Sequence, residues 1–139
     1  MKNTAEIISL LFFLGALLPP FWGLYMIRLD SKLIINRIFL LLSLALSVWM
    51  LGFAMANSQS TVEVALLWRR FAAIGWTSIF SLILHFFLLI TDDSRESTFC
   101  KFRPLLYIPS LILMFVFSFS NKMSAVQYNL IKVDTGWIN

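Results

Sequence analysis

Uncharged, mostly apolar residues fill four stretches of the chain: Ile7–Ile27, Ile38–Ala56, Phe71–Thr91 and Pro104–Ser120. A helix that crosses about 30 Å of hydrocarbon needs roughly 20 predominantly apolar residues. The first three stretches have 19 to 21 residues, and the fourth is shorter, at the lower limit. The pattern predicts an all-α integral membrane protein, an antiparallel bundle of four transmembrane helices. The connections at 28–37 and 92–103 are about ten residues long, which makes consecutive helices antiparallel neighbours. The first stretch continues past Pro19 and Pro20 without a small-x-small cleavage pattern, so it reads as a retained helix rather than a signal peptide. From Asn121 to Asn139, Tyr128, Asp134 and Trp137 punctuate a polar tail with no alternating run that predicts a strand or a helix. That tail reads as a loop after the fourth span, part of an external ligand site or, preferably, an interfacial connection to a further helix.

Inside the spans, the few polar and small residues carry the information. Pro19, Pro20 and Pro109 are expected to bend their helices, because proline removes a backbone donor and crowds the preceding turn. Pro104 suits a first helical turn. Gly15, Pro19 and Gly23 recur every four residues, giving one face that a neighbouring helix can approach closely. Asn36, Ser43, Ser47 and Ala54 form a small and polar stripe on the second helix, read as a helix–helix seam in preference to a ligand site. On the third, Gly75, Ser78, Ser81, His85 and Asp92 fall on one side of the helix at 3.6 residues per turn.

His85 is the one titratable group well inside a span. Intramembrane ionisable groups are functional candidates, and an imidazole, with its ordinary pKa of about 6.5, is suited to proton sensing. Ser78, Ser81 and His85 are therefore candidate signal-sensing residues. The competing reading is a neutral imidazole bonded to a serine or carbonyl of another helix, and no partner for it stands out in the other spans. Trp68, Arg69, Arg70 and Trp76 read as interface anchors, with indoles at headgroup depth and guanidinium groups reaching phosphates. Glu63, seven residues before Arg70, shares its face without pairing directly. Asp92 and Asp93 read as a solvated helix exit, since no further ligands stand at metal-binding spacing.

Composition sharpens this picture without changing it. Hydrophobic residues make up 60% and charged residues 13% of the chain, and the mean hydropathy is +0.85, outside the range of soluble domains. A sequence pI of about 9.6 would suit nucleic-acid binding, but the cations lie in loops and at helix ends, where they set topology instead. Arg28, Lys32, Arg37, Arg95, Lys101 and Arg103 fall on one side; Lys2, Arg69, Arg70, Lys122 and Lys132 fall on the other. The bias favours a multi-pass protein of the cell membrane with an external N-terminus and with loops 28–37 and 92–103 cytoplasmic. The single cysteine, Cys100, has no internal disulfide partner and reads as a surface thiol.

Asn36-Arg37-Ile38-Phe39, Trp49-Met50-Leu51-Gly52-Phe53-Ala54, Trp68-Arg69-Arg70-Phe71 with Gly75 and Trp76, and Leu84-His85-Phe86-Phe87-Leu88-Leu89 follow one another along the chain. This succession resembles the N-terminal seven-transmembrane region of bacterial sensor histidine kinases, a region also found ahead of diguanylate cyclase domains. The resemblance covers nearly the whole chain and the first four of seven helices. It implies an external N-terminus, a cytoplasmic effector after the seventh helix, and a homodimer formed through that effector. Thr91-Asp92-Asp93 departs from a pattern in which glycine often follows the threonine. The chain is accordingly expected to be the incomplete membrane sensory region, 1–139, of a two-component receptor that lacks its effector domain. The expected partners are the lipid bilayer and an unknown small ligand or membrane signal, with no cofactor, metal or nucleic acid.

Other classes are weaker. A small four-helix subunit of a larger membrane complex fits the length. A proton-coupled transporter normally needs an intramembrane carboxylate, and Glu6 lies only at a membrane edge. No nucleophile–base pair, metal cluster or phosphate-binding glycine loop can be assembled here, so the chain itself is not expected to be an enzyme.

Overall fold

The computed structural model describes residues 2–91, 103–120, 130–133 and 136–138. Asp92, Asp93, Cys100, Arg95, Lys101, Lys122, Tyr128 and Asp134, read above from the sequence, lie outside the described residues. The elements are α1 (Lys2–Leu29), α2 (Ile34–Ser58), α3 (Val62–Thr91), a 3-10 turn (Arg103–Leu106), α4 (Tyr107–Phe119), β1 (Ile131–Val133) and β2 (Gly136–Ile138). Three helices are long and apolar enough to cross a membrane, and the apolar helix Pro104–Phe119 is shorter. The three long helices outrun the apolar stretches that predict them because hydrocarbon thickness limits the apolar window, whereas a helix can continue beyond it.

A cap is visible at the end of α2, and side chains tie the α1–α2 connection. At the end of α2 the Ser58 hydroxyl and the Gln59 amide both donate to the Met55 carbonyl, at 2.8 and 3.1 Å. Between α1 and α2, Asp30 accepts the Lys32 N–H at 2.8 Å. The Asn36 amide and the Arg37 guanidinium donate to the carbonyls of Asp30 and Ser31, each at 2.8 Å. Asn36 therefore fixes this connection and belongs to it rather than to the seam its spacing suggested.

The helices pack in chain order, α1 on α2, α2 on α3 and α3 on α4. Short connections make each pair antiparallel. Gly23 faces Leu40 and Ser43 of α2, where a Cβ would come within 2.8 Å of the Leu40 side chain. Contact between α2 and α3 is closer still. A Cβ on Gly52 would lie 2.6 Å from that of Ala72, and one on Gly75 would lie 2.5 Å from the Ala45 carbonyl oxygen. Small residues are what allow the backbones to approach this far, since between helices in lipid packing replaces the hydrophobic drive.

Helix α1 runs on through Pro19 and Pro20. Pro20 cannot donate to the Ala16 carbonyl, and the Ser47 hydroxyl of α2 does so instead at 2.5 Å. Ser9 returns a matching bond from α1 to the Ala54 carbonyl, also at 2.5 Å. The polar stripe of α2 is thus a seam against α1. In α4, Pro109 falls in the first turn, where a missing N–H is one of the orphans of any helix. A 3-10 turn, Arg103–Leu106, gives way to α geometry at Tyr107, two residues before Pro109.

The tail departs from expectation. β1 and β2 form an antiparallel hairpin with Lys132 opposite Trp137, at the end of the row that carries the α2–α3 connection. Leu130 and Trp137 pack on Ala65 and Leu66 of α3. No sequence period announced it, because strands of three residues are too short to alternate measurably.

Candidate functional site

Polar side chains gather in two places along α3, with His85 of the first and Arg69 of the second about 24 Å apart on its axis at 1.5 Å per residue. The first is the seam with α4. Tyr107 opens α4 and its phenol lies 2.6 Å from His85 Nδ1. Ser110, the one buried residue of α4, donates to the Thr77 carbonyl at 2.7 Å. The Ser81 hydroxyl lies 2.5 Å from that of Ser110 and 2.6 Å from the Leu106 carbonyl. Ser118 reaches the Arg70 carbonyl at 3.2 Å, and Trp76 packs on Phe117 with ring centroids 5.3 Å apart. Partner numbers rise along α4 as they fall along α3, so this is one antiparallel ladder.

Its centre has a definite chemistry. Two hydroxyl protons, from Ser81 and Ser110, serve three contacts. If Ser110 holds its bond to Thr77, Ser81 donates to Ser110; if Ser81 holds its bond to Leu106, Ser110 donates to Ser81. Both arrangements are satisfied, since a hydroxyl donates once and accepts twice. The interior of the bundle strengthens such bonds and makes an unmet group costly.

The sequence-predicted stripe on α3 is split by this arrangement. Ser81 and His85, with Thr77, form an i, i+4 row that faces α4. Gly75 faces α2. Ser78 bonds back to the Ile74 carbonyl of its own helix at 2.7 Å and joins neither group. One helix with neighbours on two sides presents two working faces, which a single wide stripe on a helical wheel merges. Tyr107 and Ser110 were missed because a phenol and a serine in an apolar run carry no mark of their partners in the sequence.

The second cluster is at the hairpin end. Arg69 is 7% exposed, donates to the Trp137 carbonyl, and stacks on Phe53 with 3.9 Å from its guanidinium carbon to the ring centroid. The Trp137 indole N–H donates to the Gln59 carbonyl at 2.9 Å, and its backbone N–H donates to Asn57 Oδ1 at 3.4 Å. Arg69, read from the sequence as reaching phosphates, is turned inward here. Trp68 is half-buried and packs edge-on against Phe71. Nearby, Glu6, Ser9, Leu10, Phe13, Ala54, Met55 and Ser58 line an open groove of about 290 Å³ between α1 and α2. Among the described residues no three metal-ligating side chains come together.

These features define a multi-pass helical membrane protein whose polar groups are concentrated at helix seams. Residues 7–138 match the family described as the N-terminal 7TM region of histidine kinase, and the chain belongs to that family. No curated protein and no solved structure matches it.

Proposed function

We propose that this chain is the membrane-embedded sensory input region of a bacterial receptor of the histidine-kinase type, receiving a small ligand or a membrane signal and passing it to an effector. The observation that carries this reading is the family match across residues 7–138. In this reading the region performs no chemistry of its own. It changes packing, and a signal acts by favouring one packing over another. The α3–α4 ladder suits that role, because its hydroxyls have two satisfied arrangements and its His85–Tyr107 pair closes the end opposite the hairpin.

Orientation belongs to the same proposal. Arg28, Lys32 and Arg37 cluster around the α1–α2 connection and support a cytoplasmic location for it, with the hairpin and the N-terminus outside. Receptors with kinase or cyclase effectors act as dimers, so a homodimer through the effector is part of the reading.

The test is a fusion of the chain, completed with the remaining helices of a 7TM region of the same family, to a histidine-kinase output domain and reporter. His85→Gln, Tyr107→Phe and Ser110→Ala are expected to shift basal output or the dose–response several-fold. Unchanged output in all three would remove the ladder from signalling. Orientation is checked in a Cys100→Ser background. Ser60→Cys should react with an impermeant maleimide on intact cells, and Lys32→Cys only after permeabilisation.

A further inference from the structure

We propose that the β1–β2 hairpin is a detachable latch that clamps the ends of α1, α2 and α3 together, and that its docking and release regulate the sensory region; this rests on the sensory reading above. Two strands of three residues are not independently stable in water, so the hairpin holds its form only while docked. Its attachment is concentrated in one residue. Trp137, 5% exposed, donates its indole N–H to Gln59, donates its backbone N–H to Asn57, accepts from Arg69 at its carbonyl, and is covered by Lys132 of the opposite strand at 5.5 Å. Leu130 adds the second buried anchor, while the next residue, Ile131, is 57% exposed.

The contacts also choose what is clamped. Asn57 and Gln59 stand at the end of α2, Ala65 and Arg69 on the first turns of α3, and β2 also touches α1. One tryptophan thus joins the end of α2 to the start of α3, across the connection between them, and releasing it loosens three helix ends at once. Folding of the hairpin and its docking are one event, because neither strand has a partner elsewhere among the described residues. That coupling makes the change all-or-none, which a switch requires and a gradual fraying does not supply.

Hydrogen–deuterium exchange of the chain in lipid nanodiscs tests the mechanical half. Trp137→Ala is expected to raise exchange of amides 130–133 and of amides 59–66 by about tenfold or more, with amides 77–85 unchanged. Trp137→Phe, which keeps the packing and loses the indole bond, should fall between and guards against a variant that fails to fold. Wild-type exchange at 130–133 in both variants, or a rise confined to the hairpin, overturns the latch.

The regulatory half uses the kinase fusion carrying Ala65→Cys, Leu130→Cys and Cys100→Ser, compared oxidised and reduced so that each protein is its own folding control. Oxidation should hold output at one level, and Trp137→Ala should shift basal output several-fold. Output indifferent to both, while His85→Gln still alters it, overturns the latch and leaves the sensory reading standing. Output indifferent to all of them, His85→Gln included, overturns the latch's regulatory role, and a fusion whose output also ignores every tested ligand and membrane signal defeats the sensory reading, while the exchange data still report whether the hairpin clamps.

Discussion

Against α2, helix α3 presents Ala72 and Gly75; against α4, it presents Thr77, Ser81 and His85. The first face is fitted by volume. A single added carbon would meet backbone, so the two helices have one separation and one register. The second face is fitted by exchangeable bonds. Its two serine hydroxyls can donate in either direction along the ladder, so the bonds that hold α4 can be redistributed. One helix therefore joins a fixed partner to an adjustable one, and any relative motion is expected at α4 rather than at α2.

The contrast is open to direct attack, most forcefully at Gly75. Gly75→Leu is expected to cost about 3 kcal/mol of stability in reversible unfolding from bicelles, because backbone on α2 has to move. A neutral result would mean that the α2–α3 seam is not fixed by volume. Ser110→Ala removes the hydroxyl shared by Thr77 and Ser81 and should cost about 1 kcal/mol, with α4 the first element to gain hydrogen exchange. Tyr107→Phe should cost about 0.6 kcal/mol, since it deletes one interhelical bond and leaves the ring packed on His85.

The smallest effect tests the proline bond in α1. Ser47→Ala deprives the Ala16 carbonyl of its donor in the native chain. In a Pro20→Ala background the restored backbone N–H supplies that donor, so the loss should fall to near zero. A coupling of about 0.5 kcal/mol is expected in the double-mutant cycle, and additivity would show that Ser47 does not compensate for Pro20.

Much of this was legible in the residues. Four helices and the close-packed face of Gly15 and Gly23 follow from hydropathy and residue size, because lipid imposes length and smallness on any spanning helix. His85 and Ser81 were also visible, since polar groups are conspicuous against hydrocarbon. Their setting was not. Ser78 shares their side of the wheel yet turns to its own backbone, and Arg69 looks like a headgroup anchor yet bonds to a carbonyl 68 residues away.

The sequence by itself determined which segments are helical and lipid-compatible, and through local signals where charge collects between them. Only the tertiary structure decided that Tyr107 meets His85, that Ser110 joins Thr77 to Ser81, and that Trp137 closes on Arg69 and Gln59. The physical reason is one of range. Spanning length and proline geometry act within one helix and leave a period or a composition in the chain, whereas a hydrogen bond between elements depends on their rotation and register, which no single segment encodes.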